Sequence, residues 1–279
     1  MRNHQLLVSI VIPTKNSAAF LFGCLRSIGQ QTYKNIEVLI VDSGSTDRTL
    51  EFAKKYHCIV YHHTPNLKLG MFDAPRKRNY GIKKAKGEYV YYLDADMELQ
   101  NHVVAEAVDL CQSGYQAAIV TENSVGTGIW ARAKNLERQC YWGDDTVEAP
   151  RFFPKKVWQE LGGLDESIGG GGDDWDLYQK LLERGYKSGR TKNMVFHHEG
   201  HLSLKGLFWK RFMYGRESLR YIVKRPVAGI VSYFPIRKSY LRNWRLFIKR
   251  PVDTLAFIVL RTIEYLGGFV GILYSLIVS

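Results

Sequence analysis

Cysteine is scarce in this sequence. Its four residues (Cys24, Cys58, Cys111 and Cys140) form no C-x-x-C pair and no short-spacing framework. A disulfide scaffold is thereby excluded, and reduced thiols in a cytosolic compartment are the expectation. Long uncharged runs are lacking too. The run after Glu264 is fifteen residues, short of the about 20 that a membrane span needs. The N-terminal apolar stretch is seven residues, lacks a small-residue cleavage site and ends at Pro13 and Lys15. It reads as a first strand, not a signal peptide. There is no internal repeat and no low-complexity tract. Acidic residues are missing from one segment: between His201 and Arg250, thirteen Lys and Arg meet a single acid, Glu217. That segment accounts for the whole net charge of +12 and leaves the rest of the chain neutral. A polyanionic surface would select such a segment.

What is present suffices for a folded enzyme-sized domain. The chain has 279 residues, 46% of them apolar, enough for one large domain or an ordinary one with an appendage. Short apolar runs at 6–12, 37–41, 59–62, 89–93 and 117–121 alternate with helical patterns at 17–30, 47–56, 74–86 and 103–111. The alternation predicts an α/β domain around a mostly parallel sheet over residues 1–200. In such sheets ligands bind beyond the carboxyl ends of the strands. Three of those ends are polar: PTKN, DSGSTD and DAD.

The third is the most pointed. YVYYL has the β-branched and aromatic content of a buried strand, and Asp94 and Asp96 stop it. Residues i and i+2 of an extended chain share a side, so both carboxylates could aim at one point and would then need a cation between them. An isolated D-x-D is otherwise a strand followed by a polar turn. Arg76 and Arg78 precede this strand, and guanidinium forks suit phosphate oxygens. Further on, glycines 169–172 run into Asp173, Asp174 and Asp176 ahead of an amphipathic helix. Carboxylates so crowded repel, which raises at least one pKa and can produce a general base. Finally MVFHHEGH ends an apolar run, where His197 or His198 could give nitrogen to a metal already held by aspartate.

Taken together, VSIVIPTKN, VDSGSTD, the RN-x-G of Arg78–Gly81, GEYVYYLDAD and GGDDWDL resemble the inverting family 2 glycosyltransferases, in that family's order and over roughly residues 7–200. The resemblance implies a GT-A, Rossmann-like fold. It implies that Pro13, Thr14, Asn16 and Asp42 line a nucleotide pocket and that Arg78 approaches a diphosphate. It gives Asp96 a divalent ion, Mn²⁺ or Mg²⁺, with Asp94 touching ribose or metal. Asp174 becomes the base and Asp173 its neighbour. Two departures stand out. Ser43 occupies a position where the family often has aspartate, which leaves open whether the donor is linked to UDP or GDP. Asp173 stands where glutamate is usual, and its shorter reach favours Asp174 as the base.

The basic segment is interleaved with aromatics, as either a nucleic-acid or a membrane surface would be. The apolar tail from Val252 decides for the membrane and against nucleic acid, with helices of 201–279 lying in the interface at the cytoplasmic face. The expected acceptor is then lipid-linked, a polyprenyl-phosphate or -diphosphate sugar. The rivals are a transferase acting on a soluble or polymeric glycan, and a non-catalytic basic binding module on a degenerate fold.

Overall fold

A computed structural model describes residues 5–64, 73–169 and 172–278; Gly170 and Gly171 of the glycine run lie outside them. The first half alternates as its periodicity predicts: β1 (Val8–Thr14), α1 (Ala18–Gly29), β2 (Ile36–Asp42), α2 (Thr49–Lys55), β3 (Ile59–His62), α3 (Ala74–Lys84) and β4 (Tyr89–Tyr92). Strand β1 pairs in parallel with β2 on one side and β4 on the other, and β2 pairs with β3. The chain continues through β5 (Met97–Leu99), α4 (Val103–Gln112), β6 (Ala117–Ile119), β7 (Glu122–Val125), α5 (Gly128–Tyr141), β8 (Phe152–Pro154) and α6 (Lys155–Leu161). Then follow α7 (Gly172–Glu183), β9 (Ser188–Arg190) and β10 (Val195–His198). The main sheet has the order β3-β2-β1-β4-β8-β6-β9, with β8 antiparallel to both neighbours. A smaller sheet of order β5-β10-β7 sits apart from it. The mostly parallel GT-A-like sheet flanked by helices is therefore present, with an antiparallel insertion.

Both faces of the main sheet are covered, which is why β1 reads as a continuous apolar run. Ile10 and Ile12 pack with α1 and α4, through residues such as Leu21, Leu25 and Val104. Val11 points the other way, into a cluster with Ile82, Trp158 and Leu177 from α3, α6 and α7. The pattern at 117–121 is split in two. Strand β6 stops at Ile119, and the chain crosses into the small sheet at β7.

Beyond residue 200 the chain is helical: α8 (Leu204–Lys224), α9 (Pro226–Tyr233), α10 (Lys238–Arg242), α11 (Trp244–Lys249) and α12 (Pro251–Val278). Helix α12 is long and apolar enough over Pro251–Ile277 to cross a membrane, by length and composition. Its charges, however, are turned onto the preceding domain. Asp253 pairs with Arg132, Arg261 with Glu137, and Glu264 with Lys134 and Arg211. Glycine lets α8 and α12 approach closely. A Cβ on Gly215 would collide with the Gly268 carbonyl, and one on Gly271 with the Phe212 carbonyl. The outward side of these helices carries exposed Val227, Ile230, Trp244, Leu255, Ile258 and Phe269.

Candidate active site

Because β2, β1 and β4 are parallel neighbours, their carboxyl ends fall on one edge of the sheet. The end of β1 meets the end of β2 in register at Thr14 and Asp42. Asp42 is fully buried and its carboxylate is saturated. It accepts from Thr14 Oγ1 at 2.8 Å, from the Gly44 N–H at 2.9 Å, and from the Ser45 N–H at 2.8 Å and hydroxyl at 2.5 Å. Burial alone would raise its pKa, but these hydrogen bonds more than offset that and lower it. Asp42 and Thr14 thus shape the loop between β2 and α2. Asn16, in the left-handed region at φ 50°, ties the first loop to the second: its Oδ1 accepts from the Thr46 N–H and its own N–H donates to Ser45 Oγ, both at 2.8 Å. Pro13, within β1 opposite Val41, is half-buried. Ser43 Oγ is buried and has no hydrogen-bond partner among the described residues.

At the end of β4 the chain does not stay extended. The Met97 N–H donates back to the Asp94 carbonyl at 3.1 Å, closing a turn that hands the chain to the small sheet. The two carboxylates consequently meet different partners and are not aimed at one point. Asp94 accepts from Arg78 at 2.7 Å and from Arg151 at 3.1 Å. Asp96 faces His197 Nε2 at 3.3 Å, and its Oδ1 is buried with no hydrogen-bond partner among the described residues. His197 points inward on β10, with Glu122 of β7 3.7 Å from its Nδ1. His198, next along the same strand, turns to the opposite side and meets Glu98 at 3.1 Å.

Helix α7 supplies the remaining acids from its first turn. Asp173 and Asp174 are both buried, and Arg78 reaches them at 3.0 and 3.4 Å. Arg151 meets Asp174 at 3.3 Å and Glu122 at 3.2 Å, and Arg138 meets Glu122 at 3.1 Å. Asp176, although in the same sequence run, belongs elsewhere: it anchors Lys224 and Arg225 at the end of α8. A cavity of about 870 Å³ is lined by Arg78, Asp94, Asp173, Asp174 and His197. Asp96 adjoins it through His197, while Pro13, Thr14, Asn16 and Asp42 lie outside its lining. Arg151, Glu122 and Arg138 escaped the sequence reading because each is a lone residue with no motif around it; only the fold brings them together.

The electrostatics follow from this packing. Burial would raise the Asp94 pKa, but Arg78 and Arg151 hold it well below the usual carboxylate range. Burial would discharge His197, yet Asp96 and Glu122, which accept from its ring, push its pKa up to about 9. Asp173 goes the other way, raised to about 7 by burial and by the charge of Asp174. A carboxyl whose folded pKa is raised stabilises fully below the unfolded value of 3.8, and that stability is lost as pH rises through about 7. Asp173→Asn should therefore match the wild type in thermal stability at pH 4. At pH 8 it should exceed it by on the order of 1–3 kcal/mol. An equal offset at both pH values would contradict the raised pKa.

A divalent cation can be tested against the donors present. Among the described residues no group of three or more His, Cys, Asp or Glu is placed to hold a metal. Asp94 is occupied by two guanidiniums and His198 by Glu98. What remains is the pair Asp96 and His197, with the Asp96 Oδ1 lone pairs unused. The Asp96 oxygen fits Mn²⁺ or Mg²⁺ when phosphate oxygens complete the shell, and His197 would join it only where the cation displaces the proton from its Nε2.

Comparison with known proteins agrees with this architecture. Glycosyltransferase GlyG of Streptococcus pneumoniae serotype 4 is 36% identical over 102 residues, covering 35% of this chain and 33% of that protein. Chondroitin synthase of Escherichia coli is 28% identical over 201 residues, 64% of this chain and 27% of its own length. The chain thus spans about a third or less of the length of these curated relatives. Among solved structures, mannosyltransferase PcManGT from Pyrobaculum calidifontis, in complex with GDP-Man and Mn²⁺, superposes with a TM-score of 0.67 at 16% identity, covering 98% of this chain and 88% of that one. S. aureus TarS 1-349 in complex with UDP-GlcNAc gives 0.55 at 16% identity, covering 93% of this chain and 90% of that one. These two likenesses concern the fold. The sequence itself matches the model of "Glycosyl transferase family 2" across residues 9–166, more than half of its length, and the chain is accordingly a member of that family.

Proposed function

We propose that the protein transfers a sugar from a nucleotide-sugar donor to an acceptor hydroxyl with inversion at the anomeric carbon. The observation that carries this reading is the convergence of Asp94, Asp173 and Asp174 on the buried Arg78, in one cavity at the carboxyl end of β4. Asp174 takes the proton of the acceptor hydroxyl. The hydroxyl oxygen bonds to the anomeric carbon as the bond to the diphosphate oxygen breaks on the opposite face. Arg78 and Arg151 orient Asp174 and Asp94 and place positive charge where the diphosphate develops its negative charge. Asp96 and His197 would hold Mn²⁺ or Mg²⁺, which supplies Lewis-acid charge for the leaving group. Pro13, Thr14, Asn16 and Asp42 form the nucleotide end, beside the buried Ser43 Oγ, which has no hydrogen-bond partner among the described residues.

The acceptor end points to the membrane. The charges of α12 face α5 and α8, and its apolar side faces outward. With thirteen basic residues between His201 and Arg250, residues 201–279 would lie in the interface as a peripheral or monotopic surface at the cytoplasmic face. A lipid-linked acceptor follows from that placement.

The donor is tested with UDP- and GDP-sugars, scored by thermal shift with and without Mn²⁺. One donor should raise the melting temperature in a Mn²⁺-dependent way, since a ligand at 100 times its Kd stabilises by about 2.7 kcal/mol. No response to any of them would remove the transferase reading. The membrane surface is tested by flotation. The protein should rise with vesicles containing phosphatidylglycerol and detach as salt increases, because anionic headgroups are screened. Recovery in the bottom fraction at low salt would overturn this part.

A further inference from the structure

The cavity runs past the acidic cluster to a second end, between α8, α12 and the turn after α9. Eight Lys and Arg side chains line it. Six of them, Arg78, Lys134, Arg138, Arg151, Arg211 and Arg261, each have a carboxylate at 2.7–3.1 Å. The other two, Lys210 and Arg237, have no ion pair among the described residues.

Arg237 is the more unusual. Its Nη2 donates to the Ser232 carbonyl, and its guanidinium lies 5.4 Å from the centre of the Tyr141 ring. Its Nε and Nη1 are buried and have no hydrogen-bond partner among the described residues. Asp144 feels the charge of Arg237, but its carboxylate accepts from the Thr146 N–H and hydroxyl and makes no ion pair with it. A half-buried arginine with two buried, unused donors is costly unless an anion takes them. The fork of an arginine fits two oxygens of one phosphate. The turn that carries Arg237 is fixed in place: Tyr265 Oη of α12 donates to the Pro235 carbonyl at 3.3 Å. The cavity wall beside α12 is apolar, formed by Leu266, Phe269 and Ile272. Leu266 and Phe269 are also exposed on the outer surface, so this end of the cavity adjoins the apolar face of the helices.

We infer that Arg237, assisted by Lys210, is a phosphate subsite for the acceptor, and that the acceptor is an amphiphile whose hydrocarbon chain runs along Leu266, Phe269 and Ile272. The phosphate is held at the basic end while the sugar hydroxyl is presented toward Asp174. This deepens the transferase reading and rests on it. It also assigns to the 201–279 region a specific recognition role that a merely adhesive membrane surface would not have.

The experiment measures binding of geranyl phosphate, geraniol and inorganic phosphate to the full-length protein and to Arg237→Gln and Arg237→Lys. Folding of the variants is checked by circular dichroism. Geranyl phosphate should bind the wild type at least about tenfold more tightly than either geraniol or inorganic phosphate. Arg237→Gln should lose about tenfold or more of that affinity, and Arg237→Lys should recover part of it by keeping the charge without the fork. Unchanged affinity in Arg237→Gln overturns the subsite. Equal binding of geraniol overturns the need for a phosphate. Equal binding of inorganic phosphate overturns the amphiphile and makes the ligand a free anion. Nucleotide-sugar binding by the wild type is scored in parallel. If geranyl phosphate behaves as expected but no nucleotide sugar binds, it is the transferase reading that fails and not the subsite.

Discussion

Replacing Arg78 with Met should cost the fold about 3–5 kcal/mol and abolish transfer. The side chain is 7% exposed and lies 2.7, 3.0 and 3.4 Å from three carboxylates. It also covers the face of Tyr92, with its guanidinium 4.9 Å from the ring centre. Methionine would preserve much of the volume and the contact with the ring, so the loss isolates the charge. Arg151 would then be left to pair with Asp94 and Asp174, and Asp173 would lose its ion pair with Arg78. Urea unfolding at pH 7 measures the loss. The same experiment in acid gives the sign. In the wild type the depressed Asp94 pKa means that its ion pairs stabilise above the unfolded value of 3.8, and this stability disappears as pH falls below it. In the variant the carboxylate pKa values rise, so protonation relieves the repulsion, and the two proteins should converge on acidification. A Met variant within 1 kcal/mol of wild type at neutral pH would mean that the carboxylates are not held as this geometry has them. Arg78→Lys should fall between the two, because one ammonium cannot reach three carboxylates.

Much of this arrangement was legible in the sequence, for a physical reason. The strands β1, β2 and β4 lie inside the sheet with both faces covered, so they stand out as apolar runs, and their polar ends mark the ligand edge of a parallel sheet. Arg78, Asp94, Asp96, Asp173 and Asp174 sit in runs whose composition is unusual in itself. The cross-links were not legible. Arg151 begins the antiparallel insertion at β8, and Glu122 lies on a four-residue strand of the small sheet. Neither strand is long enough to show a period. The extended i, i+2 argument for Asp94 and Asp96 also missed the turn between β4 and β5, which sends one carboxylate to arginines and the other to a histidine. Periodicity separated His197 from His198 only once β10 was known to be a strand with its neighbours in place. Likewise Arg261 and Glu264, three residues apart on α12, pair at 2.8 Å, but that both are turned onto Glu137 and Lys134 of α5 is a matter of tertiary packing.

Asp96→Ala should show the opposite balance to Arg78→Met, with activity lost and stability kept. The Asp96 side chain is 36% exposed, and among the described residues its one side-chain partner is His197 at 3.3 Å. Its Oδ1 makes no hydrogen bond among the described residues, so removing it sacrifices little in the folded protein, on the order of 1 kcal/mol or less. His197 would keep Glu122 as a counter-charge. If Asp96 serves the departing diphosphate, the variant should lose about 10²–10³-fold or more in the rate of transfer. The Mn²⁺-dependent part of the thermal shift given by the donor should vanish, while any Mn²⁺-independent nucleotide binding at the β1–β2 edge should persist. Asp96→Asn sharpens the assignment, since it retains the size and one oxygen but removes the charge that a hard cation requires. The companion substitution His198→Ala should leave the metal response intact, because that ring faces Glu98 at 3.1 Å, away from Asp96. A full Mn²⁺ response in Asp96→Ala, or its loss in His198→Ala, would move the cation to a different pair of ligands. Retention of structure with loss of the metal response would separate the two aspartates of the D-x-D by function: Asp94 as a fixed member of the arginine network, and Asp96 as the open ligand.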